Sequence, residues 1–493
     1  MSLLQPELEK ILPSAVKACL RSGPETLAEL SRGLSAPRPM APSPVLSQAV
    51  FRLTSAAYGD KAAARAAAAL AAGRPLLEAN HHGFDTHPEM VQGSFFFGLA
   101  DIIEASPERP APPLITLAGS LVPLGNPTCP GGVLLGRRGP DGRLIRRFVF
   151  PRAESNCQAA KAPALGRDLL ENSLKKIEKS AWRPAEKQAA KRLWERFLLG
   201  PDFLDRPSFL AQASWLASAL WAARFPGPEY PPLYHLESEA VAQACLTADL
   251  ARPHSPLSRI LSETRLRNRL LETLAGRRGC WSPSLLEPGL DRTALSDNSQ
   301  ALGTVLFWEL DGRGRRHSLG LPYVGGGRGK AARLVGPNLS LALEPEALAK
   351  ALEAGRIGPG LFLSCLAFAS HGLTSFGGIF QADYRPAMLK IAEDVLETPL
   401  AADEESFQLA AGPMAVGLAG REPGSAAWPA GALEFLAAGP LAPAFFREWG
   451  RLRLADIWAF TAGAWYQEEI PLSQRRPGWE TALPSLPPLE LNL

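Results

Sequence analysis

The segment from residue 60 to residue 89 constrains the fold more than any other part of the sequence. An alanine-rich run begins with Asp60 as its expected N-cap, and Gly73 and Pro75 stop it, so the run predicts a helix. Residues 76–79 are mainly apolar and short enough for a buried strand. We therefore expect residues 80–89 to form a loop at the end of a strand, where ligand-binding and catalytic groups often lie.

Histidines concentrate in this predicted loop. The chain has seven histidines, and three of them lie at positions 81, 82 and 87. Asp85 stands among them, while Glu78 and Glu89 flank the group. No other stretch of the sequence holds so many groups that bind a metal or exchange a proton near neutral pH. We interpret this stretch as the candidate active site.

A divalent metal ion is one interpretation of the cluster. In an extended loop His81, Asp85 and His87 share one side of the chain, so these three are the predicted ligands. Imidazole and carboxylate suit zinc, manganese or iron, and a bound ion would lower the pKa of a water ligand to ~7. His82 would then act as a further ligand or as a general base. The isolated histidines at 235, 254 and 317 could each complete the coordination shell.

The same residues also permit other roles. Without a metal, Asp85 could fix the tautomer of His81, which would act as a general base. Alternatively, the histidines are structural, because histidines near turns often cap helices or bind buried carbonyl groups.

Residues 370–384 form the second candidate segment. They follow an apolar helix and contain two adjacent glycines, which would let backbone amides approach a ligand. We predict that this segment completes a composite site with the histidine loop. His371 is then a fourth catalytic candidate beside His81, His82 and Asp85. The predicted substrate-binding residues are Asn80, Gln381, Asp383 and Tyr384.

A glycine-rich stretch at residues 325–330 lacks the spacing of a phosphate-binding loop, since Ala331 follows Lys330. The prediction for this stretch is a loop between a hairpin and a helix. Arg328 and Lys330 could bind an anion there as further substrate-binding residues.

The remaining patterns predict a mixed α/β fold, either α+β or α/β. Strand patterns occur in residues 76–150 and 303–321, including a hairpin from Val133 to Phe150 around the turn at residues 139–142. Residues 165–275 follow helical spacing and predict a helical block packed on the strands. The predicted segments are 1–44 (helices and a proline-rich linker), 45–160 (mixed, with the histidines), 161–300 (helical), 301–400 (α/β with glycine-rich loops) and 401–493 (irregular and helical), in one or two compact domains.

Composition excludes several classes of protein. Hydrophobic residues make up 46% and charged residues 20% of the chain, as in a globular protein. A net charge of +3 gives no case for a nucleic-acid partner. Pro6, Glu7 and Glu9 interrupt any signal peptide, and the longest apolar run is shorter than the ~20 residues that span a bilayer. The six cysteines have no paired spacing, which suits a reducing compartment. We expect a cytoplasmic protein of bacterial composition with a small-molecule substrate and no membrane-spanning segment.

Three blocks of the sequence resemble those of glycerolipid acyltransferases. They are residues 80–85 (NHHGFD), 132–138 (GVLLGRR) and 150–155 (FPRAES), which cover about 75 residues together with the chain between them. In that family the blocks run N-H-x-x-x-x-D, then a G-x-x-x-x-x-R strand, then F-P-E-G-T-R. Here the first interval is one residue shorter, and the third block lacks the E-G-T core. The resemblance implies a metal-free acyltransferase that uses His81 or His82 with Asp85 as a general base pair.

The leading prediction is an enzyme that acts on a small polar molecule by hydrolysis or group transfer, centred on residues 80–87, with a divalent metal as one alternative. The metal-free acyltransferase is the second prediction. A non-catalytic protein that binds a small molecule or takes part in an assembly is the third.

Overall fold

A computed structural model describes residues 4–38, 41–139, 142–274, 302–321, 332–400, 418–421, 428–479 and 489–492. The anion-binding residues predicted in the glycine-rich stretch, Arg328 and Lys330, lie outside the described residues.

Helices and strands are both abundant, which confirms the predicted mixed α/β class. The described strands are, in chain order, β1 (Leu76–His81), β2 (Leu114–Gly119), β3 (Gly132–Arg138), β4 (Leu144–Phe148), β5 (Leu233–Glu237), β6 (Phe307–Leu310), β7 (Arg316–His317), β8 (Arg333–Val335), β9 (Ser340–Ala342), β10 (Ile357–Pro359), β11 (Ser375–Gly377), β12 (Leu418–Arg421), β13 (Trp428–Pro429) and β14 (Leu489–Asn492).

The described α-helices span Gln5–Ile11, Pro13–Arg21, Leu27–Ser35, Pro44–Tyr58, Asp60–Ala71, Pro88–Phe97, Leu99–Glu104, Arg167–Glu178, Pro184–Leu193, Pro201–Leu204, Phe209–Arg224, Ser238–Leu250, Pro256–Ser262, Thr264–Leu274, Pro345–Glu353, Leu361–Ser370, Gln381–Leu396, Ala432–Ala438, Pro443–Arg451 and Leu454–Glu469. The helix predicted at residue 60 begins there, although its N-cap is Gly59 and Asp60 lies in the first turn. None of the helices in these described ranges has the length and hydropathy needed to cross a membrane.

A parallel sheet of four strands lies at the centre of the fold, in the order β11-β1-β2-β5. The strand predicted after Pro75 is therefore an inner strand of this sheet. Strand β5 is a correction to the helical block predicted for residues 165–275, which is otherwise mostly helical. The run that forms β5 is five residues long, and helical spacing on both sides of it concealed so short a buried strand.

Two hydrophobic cores cover the two faces of this sheet. Neighbouring residues of each strand enter different cores, as Leu76 and Leu77 do in β1 and Leu114 and Ile115 do in β2. This alternation follows from the two-residue period of a strand. Helices pack on both faces, which explains why most residues of the strands are buried, polar side chains included.

The predicted hairpin is also present, because β3 pairs antiparallel with β4. It lies against the histidine loop: the Phe84 amide donates to the Pro130 carbonyl at 3.2 Å, and the Leu134 amide donates to Thr86 Oγ1 at 2.9 Å. A Cβ at Gly83 would lie 2.5 Å from the Pro130 backbone, so this close approach requires glycine. The hairpin thus holds the loop in place from one side.

Candidate active site

The carboxyl ends of the four parallel strands lie along one edge of the sheet, which we call the carboxyl edge. Strands β1, β2 and β5 end there at His81, Gly119 and Glu237. Open parallel sheets bind ligands at this edge, where loops leave the strands and helix N-termini begin. The histidine loop therefore leaves the sheet where a ligand site is expected.

The imidazole of His81 is held by a chain of hydrogen bonds. Its Nδ1 lies 2.8 Å from Thr128 Oγ1, and the Thr128 hydroxyl lies 3.0 Å from Asn126 Oδ1. The Asn126 oxygen can only accept, so the single Thr128 hydroxyl proton points to Asn126. Thr128 Oγ1 must then accept a proton from His81 Nδ1. This arrangement leaves a lone pair on His81 Nε2.

His81 is partly exposed, and its Nε2 has no hydrogen bond to any of the described residues. Burial, followed by the nearby charge of His87, lowers the pKa of His81 to about 4. The ring is therefore neutral at neutral pH. A neutral imidazole with a fixed tautomer can accept a proton or bind a metal through Nε2.

Two glutamates share a serine hydroxyl beside His81. Ser120 Oγ lies 2.7 Å from Glu237 Oε1 and 3.0 Å from Glu239 Oε2. Glu239 also accepts the backbone amides of Ser120 at 2.7 Å and Leu121 at 3.0 Å. A hydroxyl has one proton to donate, so both contacts are hydrogen bonds only when one carboxyl is protonated.

The proton belongs on Glu237. The two backbone amides favour the charged form of Glu239, whereas Glu237 has no amide donor among its described contacts. Burial, together with the charge of Glu239, raises the pKa of Glu237 to about 7. Burial also raises the pKa of Glu239. The pair therefore titrates as one unit that holds a proton near neutral pH.

The His81 imidazole and the Glu239 carboxyl group both lie near Gly119. A Cβ at this glycine would lie 3.5 Å from His81 Cδ2 and 3.8 Å from Glu239 Oε1. The missing side chain therefore lets both groups approach the same point of β2. We call His81, Ser120, Glu237 and Glu239 the carboxyl-edge site.

A buried ion pair contacts β1 on the side where β11 pairs with it. Glu78 Oε2 lies 2.7 Å from Arg385 Nη1 and accepts the Ser375 hydroxyl at 2.9 Å. Gln381 Nε2 donates to the Glu78 carbonyl at 2.9 Å, while Gln381 Oε1 accepts from Arg385 at 3.3 Å. Part of the segment at 370–384 therefore lies beside β1, the strand that leads into the histidine loop. There Gln381, predicted to bind substrate, holds the backbone of β1.

Other residues of that segment lie elsewhere. Asp383 accepts the Ser14 amide at 2.9 Å and so anchors an N-terminal helix. Tyr384 is buried in one of the two cores. His371 precedes β11 and therefore lies toward the opposite, amino edge of the sheet. The structure thus does not bring these three residues to His81.

His82 points away from its neighbour and into the protein. It is fully buried, and its ring meets that of His235 edge to face with centroids 4.7 Å apart. His235 Nδ1 in turn lies 2.9 Å from Thr116 Oγ1. Burial lowers the pKa of His82 well below its ordinary value, with His235 adding to the effect, and burial lowers the pKa of His235 to about 4. Both rings are neutral, and His82 packs against the one isolated histidine that reaches it.

Asp85 adopts a left-handed backbone conformation with φ of 49°. Its Oδ1 lies 3.5 Å from Asn80 Nδ2, and Thr128 occupies the contact to His81 that a base pair with Asp85 would use. Burial raises the pKa of Asp85 to about 6, although the cation of Arg224 opposes this shift.

His87 belongs to a cluster of charges beside the hairpin. Its Nε2 lies 3.9 Å from Glu468 Oε1, and Glu468 Oε2 accepts from Arg138 at 2.5 Å. Burial opposes protonation of His87, but Glu468 and Glu89 outweigh it and raise the pKa of His87. Burial raises the pKa of Glu89 to about 7.

The three predicted metal ligands have different partners: His81 binds Thr128, Asp85 is next to Asn80, and His87 is next to Glu468. In the ranges that the structure describes, no group of three histidine, cysteine or carboxylate side chains is arranged to hold a metal ion. The metal ion stays a prediction, which requires the ligands to rearrange when it binds.

Sequence reasoning missed Ser120, Glu237 and Glu239. One signal was available: Ser120 follows the predicted strand that begins at Leu114, just as the histidine loop follows β1. Glu237 and Glu239 gave no signal, because β5 itself was not predicted.

Comparison with models of known protein families finds no match, and comparison with curated proteins finds no similar sequence. The case for a function therefore depends on the geometry of the carboxyl edge.

Proposed function

We propose that this protein is an enzyme that acts on a small polar molecule by hydrolysis or group transfer at the carboxyl-edge site. One observation carries the proposal: an imidazole whose Nε2 has no hydrogen bond among the described residues lies across Gly119 from Glu239, which shares the Ser120 hydroxyl with Glu237. Two titratable groups whose surroundings move their pKa values in opposite directions are typical of an acid and a base in one active site. Here the imidazole pKa is lowered and the Glu237 pKa is raised.

In this proposal each group has a role. His81 Nε2 accepts a proton from water or from a substrate hydroxyl, which then attacks the substrate. Glu237 gives its proton to the leaving group. Glu239 and Ser120 hold that proton in place until the transfer, and Thr128 fixes the tautomer of the base. Each such acid or base contributes roughly a 10²- to 10⁴-fold rate increase.

Turnover of a panel of small substrates tests this proposal. Chromogenic carboxylic esters, phosphate esters and amides are incubated with the wild-type protein and with His81→Gln and Glu237→Gln. We expect turnover of at least one class, reduced on the order of 100-fold or more in each variant. His254→Gln and Glu178→Gln are the matched controls, because both residues are exposed and lie outside the site. Turnover that survives in His81→Gln contradicts the proposal, as does a protein inactive on every class.

An acyltransferase is the second candidate, and one observation favours it. The first two blocks of the resemblance lie close together, since the Phe84 amide of the first donates to Pro130, just before the second, and the Leu134 amide of the second donates to Thr86, just after the first. Phe84 and Phe150 also both pack on Phe209, with ring centroids 6.0 Å and 4.8 Å apart, which joins the third block to the first. His81 would accept the proton of an acceptor hydroxyl, with Thr128 in the place expected of Asp85.

Release of free thiol from acyl thioesters of increasing chain length tests this candidate. Transfer to a small alcohol that His81→Gln abolishes would support it. Absence of thioester turnover at every chain length would remove it and leave hydrolysis of other substrates to be judged by the panel.

A further inference from the structure

Three residues from distant parts of the chain form a second array of polar groups. Ser43 Oγ lies 2.6 Å from His371 Nδ1, and His371 Nε2 lies 3.3 Å from Asp249 Oδ1. His371 is 3% exposed and Asp249 is 1% exposed, whereas Ser43 is partly exposed. The order is the hydroxyl of a partly exposed serine, a buried imidazole, and a buried carboxylate on the other side of the imidazole.

Separate elements hold this array rigidly. Ser43 begins the helix Pro44–Tyr58, Asp249 lies in the last turn of Ser238–Leu250, and His371 ends Leu361–Ser370. The Ser43 amide also donates to the His371 carbonyl at 2.8 Å, which fixes the serine relative to the ring. The array lies toward the amino edge of the sheet and is distinct from the carboxyl-edge site, because residue 374 pairs with the start of β1.

The proton positions follow from the partners. The negative charge of Asp249, 3.3 Å from Nε2 but not hydrogen-bonded to it, favours the tautomer that carries its proton there, which leaves the Nδ1 lone pair to accept the Ser43 hydroxyl proton. Helix capping accounts for the bond from the Leu46 amide to Ser43 Oγ at 3.2 Å, but it does not require an imidazole. The Asp249 carboxylate is also paired with Arg252, but neither its Oδ2 nor His371 Nε2 has a hydrogen-bond partner in the described part of the chain.

We propose that Ser43 is a nucleophile, with His371 as its general base and Asp249 as the group that orients the base, in a second site that takes carboxylic esters. A nucleophile, a base within hydrogen-bond reach and a third group that orients the base are the arrangement that activates a serine. The first turn of the helix after Ser43 adds partial positive charge near the developing oxyanion.

The reaction balances in two steps. Ser43 Oγ bonds to the ester carbonyl carbon, its proton passes to His371 Nδ1, and the alcohol leaves with that proton as the acyl–serine ester forms. Water then attacks the acyl carbon, gives one proton to His371 Nδ1, and releases the carboxylic acid. His371 returns the proton to Ser43 Oγ, so the site ends as it began.

A biotin-tagged fluorophosphonate tests the proposal on the full-length chain. Ser43 Oγ displaces fluoride from phosphorus, and peptide mass spectrometry locates the label. We expect one label per chain, on Ser43, at a rate on the order of 100-fold lower in His371→Gln. His254→Gln, at an exposed histidine outside both sites, should label at the wild-type rate.

Ser43→Ala and Ser43→Asn should both lose the label. Asparagine keeps a helix cap, so this variant separates loss of the nucleophile from loss of folding. Thermal unfolding of each variant shows that it is folded. A wild-type protein without label on Ser43 overturns the proposal, and so does labelling of folded His371→Gln at the wild-type rate.

Discussion

Replacing Glu237 with glutamine removes the proton that the carboxyl-edge site holds near neutral pH. Glutamine has nearly the same shape and can still donate to Ser120, so the fold around the site should be kept. What changes is the dependence of stability on pH. The ordinary pKa of a glutamate is 4.5, and burial raises that of Glu237 to about 7 in the folded protein.

Proton linkage gives the direction in which the free energy of unfolding changes with pH. Between pH 4.5 and 7 the unfolded chain ionises Glu237 while the folded protein keeps the proton, so rising pH favours the unfolded state. Each unit of pKa difference corresponds to about 1.4 kcal/mol. The wild-type protein should therefore lose up to about 3 kcal/mol relative to Glu237→Gln across this interval, and the partial exposure of the residue reduces that figure.

Urea unfolding at half-unit steps from pH 4.5 to 8 measures the difference between the two free energies of unfolding. As pH rises, the free energy of unfolding of Glu237→Gln should increase relative to that of the wild type, and the difference should become constant above pH 7. Glu178→Gln, which removes an exposed carboxyl, should follow the wild-type profile. Parallel profiles for wild type and Glu237→Gln would refute the assignment of the proton to Glu237.

Three further predictions concern the surroundings of the site. Arg385→Met should lower the free energy of unfolding by about 3–5 kcal/mol in urea titrations, because Glu78 stays buried without its cation. The control Lys350→Met, at an exposed residue, should change it by less than about 0.5 kcal/mol. Thr128→Val should give His81 a mixture of tautomers in ¹⁵N NMR spectra, whereas Thr128→Ser should keep a single tautomer. An unchanged spectrum of the valine variant would contradict the chain of hydrogen bonds from His81 through Thr128 to Asn126. Elemental analysis tests the metal alternative: it predicts one equivalent of zinc, manganese or iron that both His81→Ala and His87→Ala lose, and purified protein without stoichiometric metal would eliminate it.

Local signals were enough to predict β1 and the helix before it. Alanines, Gly73 and Pro75 mark the ends of these elements within the segment itself. The sheet that β1 joins could not be predicted in the same way. Its neighbour β11 is only three residues long, and the bond from Ser375 to Glu78 joins residues 297 positions apart in the sequence.

The candidate site likewise has one residue that the sequence predicts and three that it does not. Counting histidines locates His81, because histidine is rare and three of them crowd one loop. Its companions are a serine and two glutamates, which are common residues, and they lie at the ends of two other strands. Only the order of strands brings them together. The same count also singled out His82 and His87, which turn toward His235 and Glu468 and away from the carboxyl-edge site.

The pH dependence of kcat/KM, for any substrate found in the panel, tests the acid–base assignment most directly. His81 must be neutral and Glu237 must be protonated, so activity should rise through about pH 4 and fall through about pH 7. Glu237→Gln should lose the descending limb along with most of its activity. A wild-type rate that keeps rising above pH 7 would contradict the account, because Glu237 would then have no proton to give.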